Sequence, residues 1–176
     1  MIKRYKYTDK EIKQLLSDIT IIIDKREQKN NHITNWFDKK KIKYINKSIS
    51  CGDYSFLLPK NQILNIERDL YFDKEIIIER KNSTDELIGN FASERSRIET
   101  EFLKNKGKMC LLIEDEQFYE NISKGNYRSQ YNKKSALATY HSFVHRYNIY
   151  PHYINKKQSG QLIYLICYYY LRELLK

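Results

Sequence analysis

The sequence has little cysteine and no run of apolar residues long enough to cross a membrane. Its three cysteines, Cys51, Cys110 and Cys167, are scattered and form no C-x-x-C pair, which argues against a disulfide framework or a zinc site. The N-terminal residues lack the apolar segment of a signal peptide. The most apolar tract, Leu162–Leu171, is too short for a bilayer span. We therefore expect a cytoplasmic protein (nucleoid-associated in a bacterium or phage) with no membrane partner.

Acidic residues are also in deficit. The chain has 32 lysines and arginines against 22 aspartates and glutamates, a formal charge of +10 and a pI near 9.3. This balance predicts a polyanionic partner, with nucleic acid first and an anionic membrane surface second; the alternative is a basic protein without such a partner. At 176 residues and 41% hydrophobic content, the chain fits one domain with a substantial core.

Repeats, low-complexity tracts and a clear linker are likewise absent. Short apolar strands alternate with amphipathic helices, which predicts one α/β domain with a central mixed β-sheet flanked by α-helices. We expect residues 1–18 to form an N-terminal helical extension, capped at Thr8 or Asp9, and residues 19–176 to form the main domain. Strands are predicted at 19–23, 43–49, 54–58, 71–80, 109–113 and 150–154, and helices at 31–41, 83–104, 129–147 and 159–175, with 118–130 as a loop.

The stretch Ile76–Asp85, reading IIIERKNSTD, is the centre of the predicted domain. Its apolar β-branched run predicts a buried strand. Side chains alternate along a strand, so Glu79 and Lys81 would point to the same face. Burying both charges is costly unless they share a task. A divalent metal at the carboxylate, with a water or phosphate at the lysine, would be such a task.

Other acids also follow predicted strands, namely Asp24, Glu27, Asp53 and Glu114. Active groups of α/β proteins gather at strand ends, and two or three converging carboxylates suit Mg²⁺ or Mn²⁺. The Lys81 ammonium can hold a water and offset charge on a phosphate. Metal plus lysine therefore fits phosphodiester hydrolysis, although solvated surface charges would give the same pattern.

Three motifs in order carry a resemblance to a known family. Asp24–Glu27 reads D-x-R-E, Gly52 and Asp53 read G-D, and Glu79–Asp85 reads E-R-K-x-x-x-D. This set resembles the XPF-type (ERCC4) structure-specific nuclease domain over roughly residues 19–170. The resemblance implies a restriction-endonuclease-like α/β core and Mg²⁺-dependent DNA cleavage, with Mn²⁺ able to substitute.

The resemblance also implies roles for the motif residues. Asp53 and Glu79 would be the main metal ligands, with the backbone carbonyl of Arg80 as a third. Lys81 would orient or activate the water. Asp24 and Glu27 would line the metal site directly or through water, and Asp24 is also counted among the metal ligands. The full catalytic set is therefore Asp24, Glu27, Asp53, Glu79 and Lys81.

Several basic residues are candidates for contact with DNA. Arg26 would orient the acids or hold a phosphate, and Arg80 would reach the nucleic acid. Arg95 is either a phosphate contact or an ordinary arginine of a helix surface. Lys133 and Lys134 either follow phosphates, which would make affinity salt-sensitive, or lie on a solvated face. The last motif acid, Asp85, is either a supporting acid behind the metal site or a helix cap.

The C-terminal tract 162–170 is too apolar for one helix face, so it is either core on most sides or buried against a second subunit. The resemblance favours a homodimer or a partner protein. A helix-hairpin-helix pattern, which many family members carry, is missing. We predict an endonuclease acting on branched, flapped or nicked DNA in repair, recombination or replication. The alternatives are a restriction-like or mobile-element nuclease and a non-catalytic DNA-binding subunit.

Overall fold

Seven strands and seven α-helices occupy residues 7–176, the part of the chain that the computed structural model describes. Residues 1–6 of the predicted extension lie outside the described residues. None of the helices within 7–176 is long and apolar enough to span a membrane. In chain order the elements are α1 Asp9–Ser17, β1 Thr20–Ile23, α2 Asn31–Lys40, β2 Lys43–Asn46, β3 Tyr54–Leu58, β4 Leu70–Tyr71, β5 Ile76–Lys81, α3 Thr84–Ser93, α4 Arg95–Lys104, β6 Lys108–Ile113, α5 Phe118–Lys124, α6 Lys133–Arg146, β7 Ile149–Tyr153 and α7 Ser159–Leu175.

The sheet is mixed, as predicted. Its order is β2-β1-β3-β5-β6-β7, with the short β4 paired to β3. Strand β3 runs antiparallel to both β1 and β5, whereas β5, β6 and β7 are parallel. The carboxyl ends of β1, β5 and β6 and the amino end of β3 therefore meet at one edge of the sheet. This edge brings together segments that are far apart in sequence.

Helices cover the sheet on both faces, because the apolar side chains of its strands alternate between two cores. Ile76 and Ile78 of β5 pack in a core with residues of α1, α2 and α7. Ile77, between them, packs in a second core with residues of α3 to α6. A strand that is buried on both faces reads as a continuous apolar run, which is why the three isoleucines stand side by side.

Three predicted elements differ in kind from the structure, and two are shorter than predicted, since the strand predicted at 43–49 ends at Asn46 and the helix predicted at 129–147 begins at Lys133. The strand predicted at 71–80 is two strands, because a turn intervenes in which Glu75 N–H donates to the Phe72 carbonyl, while the Phe72 ring stacks on Phe56 with centroids 4.4 Å apart. The helix predicted at 83–104 breaks at Glu94, whose backbone is not helical. The loop predicted at 118–130 begins with helix α5, which buries Phe118 and Ile122 one turn apart.

Other local predictions are confirmed. Thr8 caps α1, and Glu11 completes a capping box by returning its carboxylate to the Thr8 N–H. Helix α7 has the predicted bounds. Trp36 packs between Phe37 and Tyr164, with ring centroids 6.0 and 6.3 Å away, so its role is structural.

Two glycines, one in a crowded place and one in open space, allow a test of the packing where β5 and β6 begin. A Cβ on Gly107 would lie 2.3 Å from the Glu75 carbonyl oxygen, whereas a Cβ on Gly89 in α3 would meet nothing within 4 Å. We expect Gly107→Ala to destabilise the protein by roughly 1–3 kcal/mol through overpacking. Gly89→Ala should stabilise it by about 0.5–1 kcal/mol, because alanine favours a helix. Urea unfolding measures both, and a Gly107→Ala protein as stable as wild type would contradict the described packing.

Candidate active site

A polar cleft opens at the sheet edge where the strand ends meet. It holds the predicted acids Glu27, Asp53 and Glu79 together with Lys81. The complete lining comprises Arg26, Glu27, Ser50, Cys51, Gly52, Asp53, Glu79, Arg80, Lys81, Glu86, Arg97, Glu101 and Lys104.

The G-D motif places Asp53 in the cleft through the backbone. Asp53 N–H donates to the Ile78 carbonyl of β5 at 2.9 Å, and the Asp53 carbonyl accepts from Asp24 N–H at 2.8 Å. Gly52 has a φ of +77°, and a Cβ there would lie 3.1 Å from the Ile77 side chain. Glycine is required at this position for both reasons. The Asp53 carboxylate then accepts the Arg80 N–H at 2.8 Å, which fixes its direction.

Glu79 and Lys81 lie on the same face of β5, as their spacing predicts. Lys81 Nζ is 2.8 Å from Glu79 Oε1 and 3.8 Å from Glu86 Oε1. Burial acts to lower the pKa of Lys81, but the carboxylates of Glu79, Glu86 and Asp53 together prevail, and the pKa of Lys81 is raised. Lys81 is therefore an ammonium at neutral pH, able to donate hydrogen bonds but unable to accept a proton.

Burial disfavours the ionised form of two carboxylates in the cleft. Burial first, and the Glu79 charge second, raise the pKa of Asp53 well above its usual value. Burial likewise raises the pKa of Glu27. A bound cation would relieve this repulsion.

The donor set fits a hard divalent ion. Within residues 7–176 no three His, Cys, Asp or Glu side chains are gathered as a ready-made metal cluster. Mg²⁺, however, is commonly held by one or two carboxylates together with waters. Asp53 and Glu79 supply two carboxylates, so the residues present fit Mg²⁺ better than an ion that needs a full protein cage.

Arg80 faces inward, unlike its predicted role as a contact to nucleic acid. Its Nε and one terminal nitrogen donate to the two oxygens of Glu114, both at 2.8 Å. The other terminal nitrogen donates to Glu27 Oε1 at 3.0 Å. The Arg80 side chain is 4% exposed, so its guanidinium is occupied inside the protein and is not available for the predicted contact with DNA.

Glu114, one of the acids that follow a predicted strand, contacts the site through Arg80, a role that its sequence position does not predict. Burial acts to raise its pKa, but hydrogen bonds from Arg80, Ser159 and His32 prevail and lower it. The sequence signal was its position directly after a buried strand.

Asp24 also lies differently from its predicted place as a metal ligand. Its side chain is 1% exposed and is absent from the residues lining the cleft. It accepts hydrogen bonds from the Arg26 N–H, the Arg26 Nε and the Ile49 N–H at 2.9, 2.6 and 2.9 Å. Asp24 thus anchors the loop that leads to Asp53, while most of the Arg26 side chain stays exposed at the cleft.

Arg97, not the predicted Arg95, lines the cleft. Arg95 pairs with Glu99 at 3.4 Å and lies over the Phe143 ring at 5.6 Å. The two arginines are two residues apart on α4, so they lie on different sides of the helix. The helix break before Arg95 sets which side faces the cleft, and the sequence pattern did not reveal that break.

The remaining predicted residues lie beside the cleft or away from it. Ser83 caps α3 by accepting the Glu86 N–H, so Asp85 is not the cap. Asp85 accepts the Arg128 N–H at 2.8 Å and pairs with Arg128 Nε at 3.2 Å, which ties the loop after α5 to the start of α3. Lys133 and Lys134 are exposed in the first turn of α6 and do not line the cleft.

Together the mixed sheet, its two helical layers and a carboxylate–lysine cleft at the sheet edge define a restriction-endonuclease-like α/β domain. The ERCC4 domain family model matches residues 23–166, and the chain belongs to the ERCC4 domain family. This confirms the resemblance drawn from the three motifs and supports a DNA nuclease. No curated protein sequence matches the chain significantly.

Solved structures of other proteins share the fold. XPF from Aeropyrum pernix superposes with a TM-score of 0.62 at 16% identity, over 88% of this chain and 66% of that one. XPF from Aeropyrum pernix in complex with DNA gives a TM-score of 0.57 at 15% identity, over 88% of this chain and 64% of that one. This chain therefore spans slightly less than two thirds of either neighbour.

Proposed function

We propose that the protein is a Mg²⁺-dependent DNA endonuclease that cuts branched, flapped or nicked DNA. The observation that carries this proposal is the Lys81–Glu79 pair, 2.8 Å apart, next to the Asp53 carboxylate in one cleft. A carboxylate pair suits the metal, and the adjacent ammonium suits a water or a phosphate oxygen. Mn²⁺ should substitute, because it favours the same oxygen donors.

In this proposal each residue has a separate task. Asp53, Glu79 and the Arg80 carbonyl would hold the metal, which would supply a Lewis acid and a water of lowered pKa. Glu27 lines the same cleft and accepts from Arg80. Protonated Lys81 donates to the attacking water or to the phosphate, and it balances the negative charge that develops on the phosphate.

Exposed cations at the cleft suit the DNA backbone. Arg26, Arg97 and Lys104 line it, and contacts of this kind fix register without reading sequence. That one structural neighbour is described as a complex with DNA supports the same partner. Lys133 and Lys134, outside the cleft, would contact DNA only if the duplex extends along α6.

The test is a panel of labelled flap, fork, Holliday-junction, nicked, single-stranded and double-stranded DNAs with Mg²⁺, and with EDTA as control. We expect metal-dependent cutting that favours branched or nicked substrates. Cutting in EDTA would contradict the metal role. Sequence-specific cutting of plain duplex would favour a restriction-like or mobile-element nuclease, and binding without cutting would leave a non-catalytic DNA-binding subunit.

Asp53→Asn should remove the negative charge of this side chain while keeping its size. Asparagine can still accept the Arg80 N–H, but it removes a carboxylate that is destabilising when ionised. Because the folded pKa of Asp53 is raised, the metal-free wild type loses stability as pH rises through that pKa. Without metal, the variant should melt about 2–4 °C higher at neutral pH, and the difference should close in acid. Added Mg²⁺ should raise the Tm of the wild type only; an equal rise in both would contradict the ligand assignment.

We also propose that a second copy of the chain covers an apolar groove between the sheet and α7. Tyr150, Tyr169 and Leu174 line the groove and are 45%, 51% and 37% exposed. Lys108 and Glu173 line it as well, so two copies related by a two-fold axis can pair opposite charges. Tyr169→Lys should convert a dimer into a monomer in sedimentation measurements, whereas Tyr119→Lys, at an exposed tyrosine of α5, should not.

A further inference from the structure

Behind the cleft, Glu114 joins the end of β6 to three other segments of the fold. Its Oε1 accepts from Arg80 Nε at 2.8 Å and from Ser159 Oγ at 2.6 Å, and lies 2.6 Å from His32 Nε2. Its Oε2 accepts from the Arg80 terminal nitrogen at 2.8 Å. The Glu114 side chain is 0% exposed, so these partners replace all of its solvent.

Arg80 transmits the position of Glu114 to the cleft in two ways. Its guanidinium holds the Glu27 carboxylate at 3.0 Å, and its backbone N–H holds the Asp53 carboxylate at 2.8 Å. The backbone of the same strand is tied to Glu114 as well, because the Glu114 N–H donates to the Lys81 carbonyl at 2.9 Å. A shift of the Arg80 side chain would therefore move the Glu27 carboxylate, and a shift of its backbone would move the Asp53 carboxylate.

The charge balance makes Arg80 sensitive to Glu114. One guanidinium is shared between Glu27 and Glu114, and Glu114 takes two of its hydrogen bonds while Glu27 takes one. Without the Glu114 charge, the guanidinium would turn towards Glu27 and hold that carboxylate back from the cleft. A bidentate pair of this kind is the stronger arrangement for an arginine and a carboxylate.

We infer that Glu114 is a positioning residue of the metal centre, acting through Arg80 on Glu27 and Asp53, and that His32 and Ser159 fix it from the other side. This inference rests on the proposed function. His32 belongs to α2 and Ser159 begins α7, so the geometry of the centre is set by two helices that do not touch the metal.

The test measures ion binding in the absence of DNA, by electron paramagnetic resonance of free Mn²⁺ in titrations of each variant. Groups that orient metal ligands typically change affinity by about 10–100-fold, and we expect a loss of this size for Glu114→Gln. Glu114→Asp keeps the charge but moves it away from Arg80, so it should lose less Mn²⁺ affinity. It replaces Glu114→Gln in the test if that variant fails to fold. Asp115→Asn is the matched control, because Asp115 binds Thr84 and Asn121.

The outcomes are separable. Wild-type affinity in folded Glu114→Gln or Glu114→Asp would overturn the inference, and so would an equal loss in Asp115→Asn, since the loss would then follow general destabilisation. Absence of Mn²⁺ binding by the wild type would instead remove the proposed function, and this inference with it.

Discussion

Glu79→Gln should lower the rate of DNA cleavage by about a thousandfold or more, while leaving the fold and DNA binding in place. The substitution keeps the shape and one oxygen, so Lys81 retains an acceptor. It removes the negative charge that the metal and the Lys81 ammonium require. Loss of one group that stabilises charge in the transition state typically costs about 10²–10³-fold, and weaker binding of the ion adds to that. Single-turnover cleavage at saturating enzyme measures the chemical step separately from binding.

Glu86→Gln is the matched control. Glu86 lines the same cleft and lies 3.8 Å from Lys81, but its side chain is 34% exposed against 11% for Glu79. We expect a loss of less than about tenfold, because the pair is longer and partly screened by solvent. Equal losses in both variants would mean that the total charge of the cleft matters and that Glu79 has no special role.

Arg80→Met should be the most destabilising single change in the site. It leaves Glu114, which has no exposed side-chain surface, without the cation that meets both of its oxygens. Removing one partner of a buried ion pair costs about 3–5 kcal/mol, because the remaining charge stays buried and unpaired. Urea unfolding at neutral pH should show a lower midpoint with an unchanged slope.

Two further variants separate the buried pair from a general arginine effect. The double variant Arg80→Met with Glu114→Met removes both charges and should recover part of the lost stability. Arg97→Met removes an arginine whose side chain is 56% exposed and paired with Glu94 and Glu101, so it should change stability by less than about 0.5 kcal/mol. A double variant less stable than Arg80→Met would contradict this account.

Much of the fold was predictable because burial leaves a clear pattern in the sequence. The isoleucines of β5 and the apolar run of β6 are strands buried on both faces, and α7 has an apolar helix face over its whole length. The missed features were local. The turn after Phe72 and the break at Glu94 interrupt apolar patterns that look continuous, and α5 is short enough to resemble a loop with two apolar residues.

The candidate site was predictable to the extent that the strand alternation governs it. Glu79, Lys81 and Asp53 meet because their strands end at the same edge. Side-chain direction beyond the strands was not predictable, since it depends on which partner each charge finds. Asp24 turns to the Ile49 N–H and Arg80 turns to Glu114, whereas the family resemblance had implied a metal contact for Asp24 and Arg80 was predicted to reach the DNA.

The sheet edge has a consequence for when the protein can act. The cleft draws its groups from the end of β1, the start of β3, the end of β5 and helix α4, and none of these segments forms the site by itself. Contacts so distant in sequence form late in folding and together, because the entropy lost on closing long loops is offset only when the core packs. A nascent or partly unfolded chain would thus carry every motif without an assembled cleft, so the proposed activity requires the complete fold.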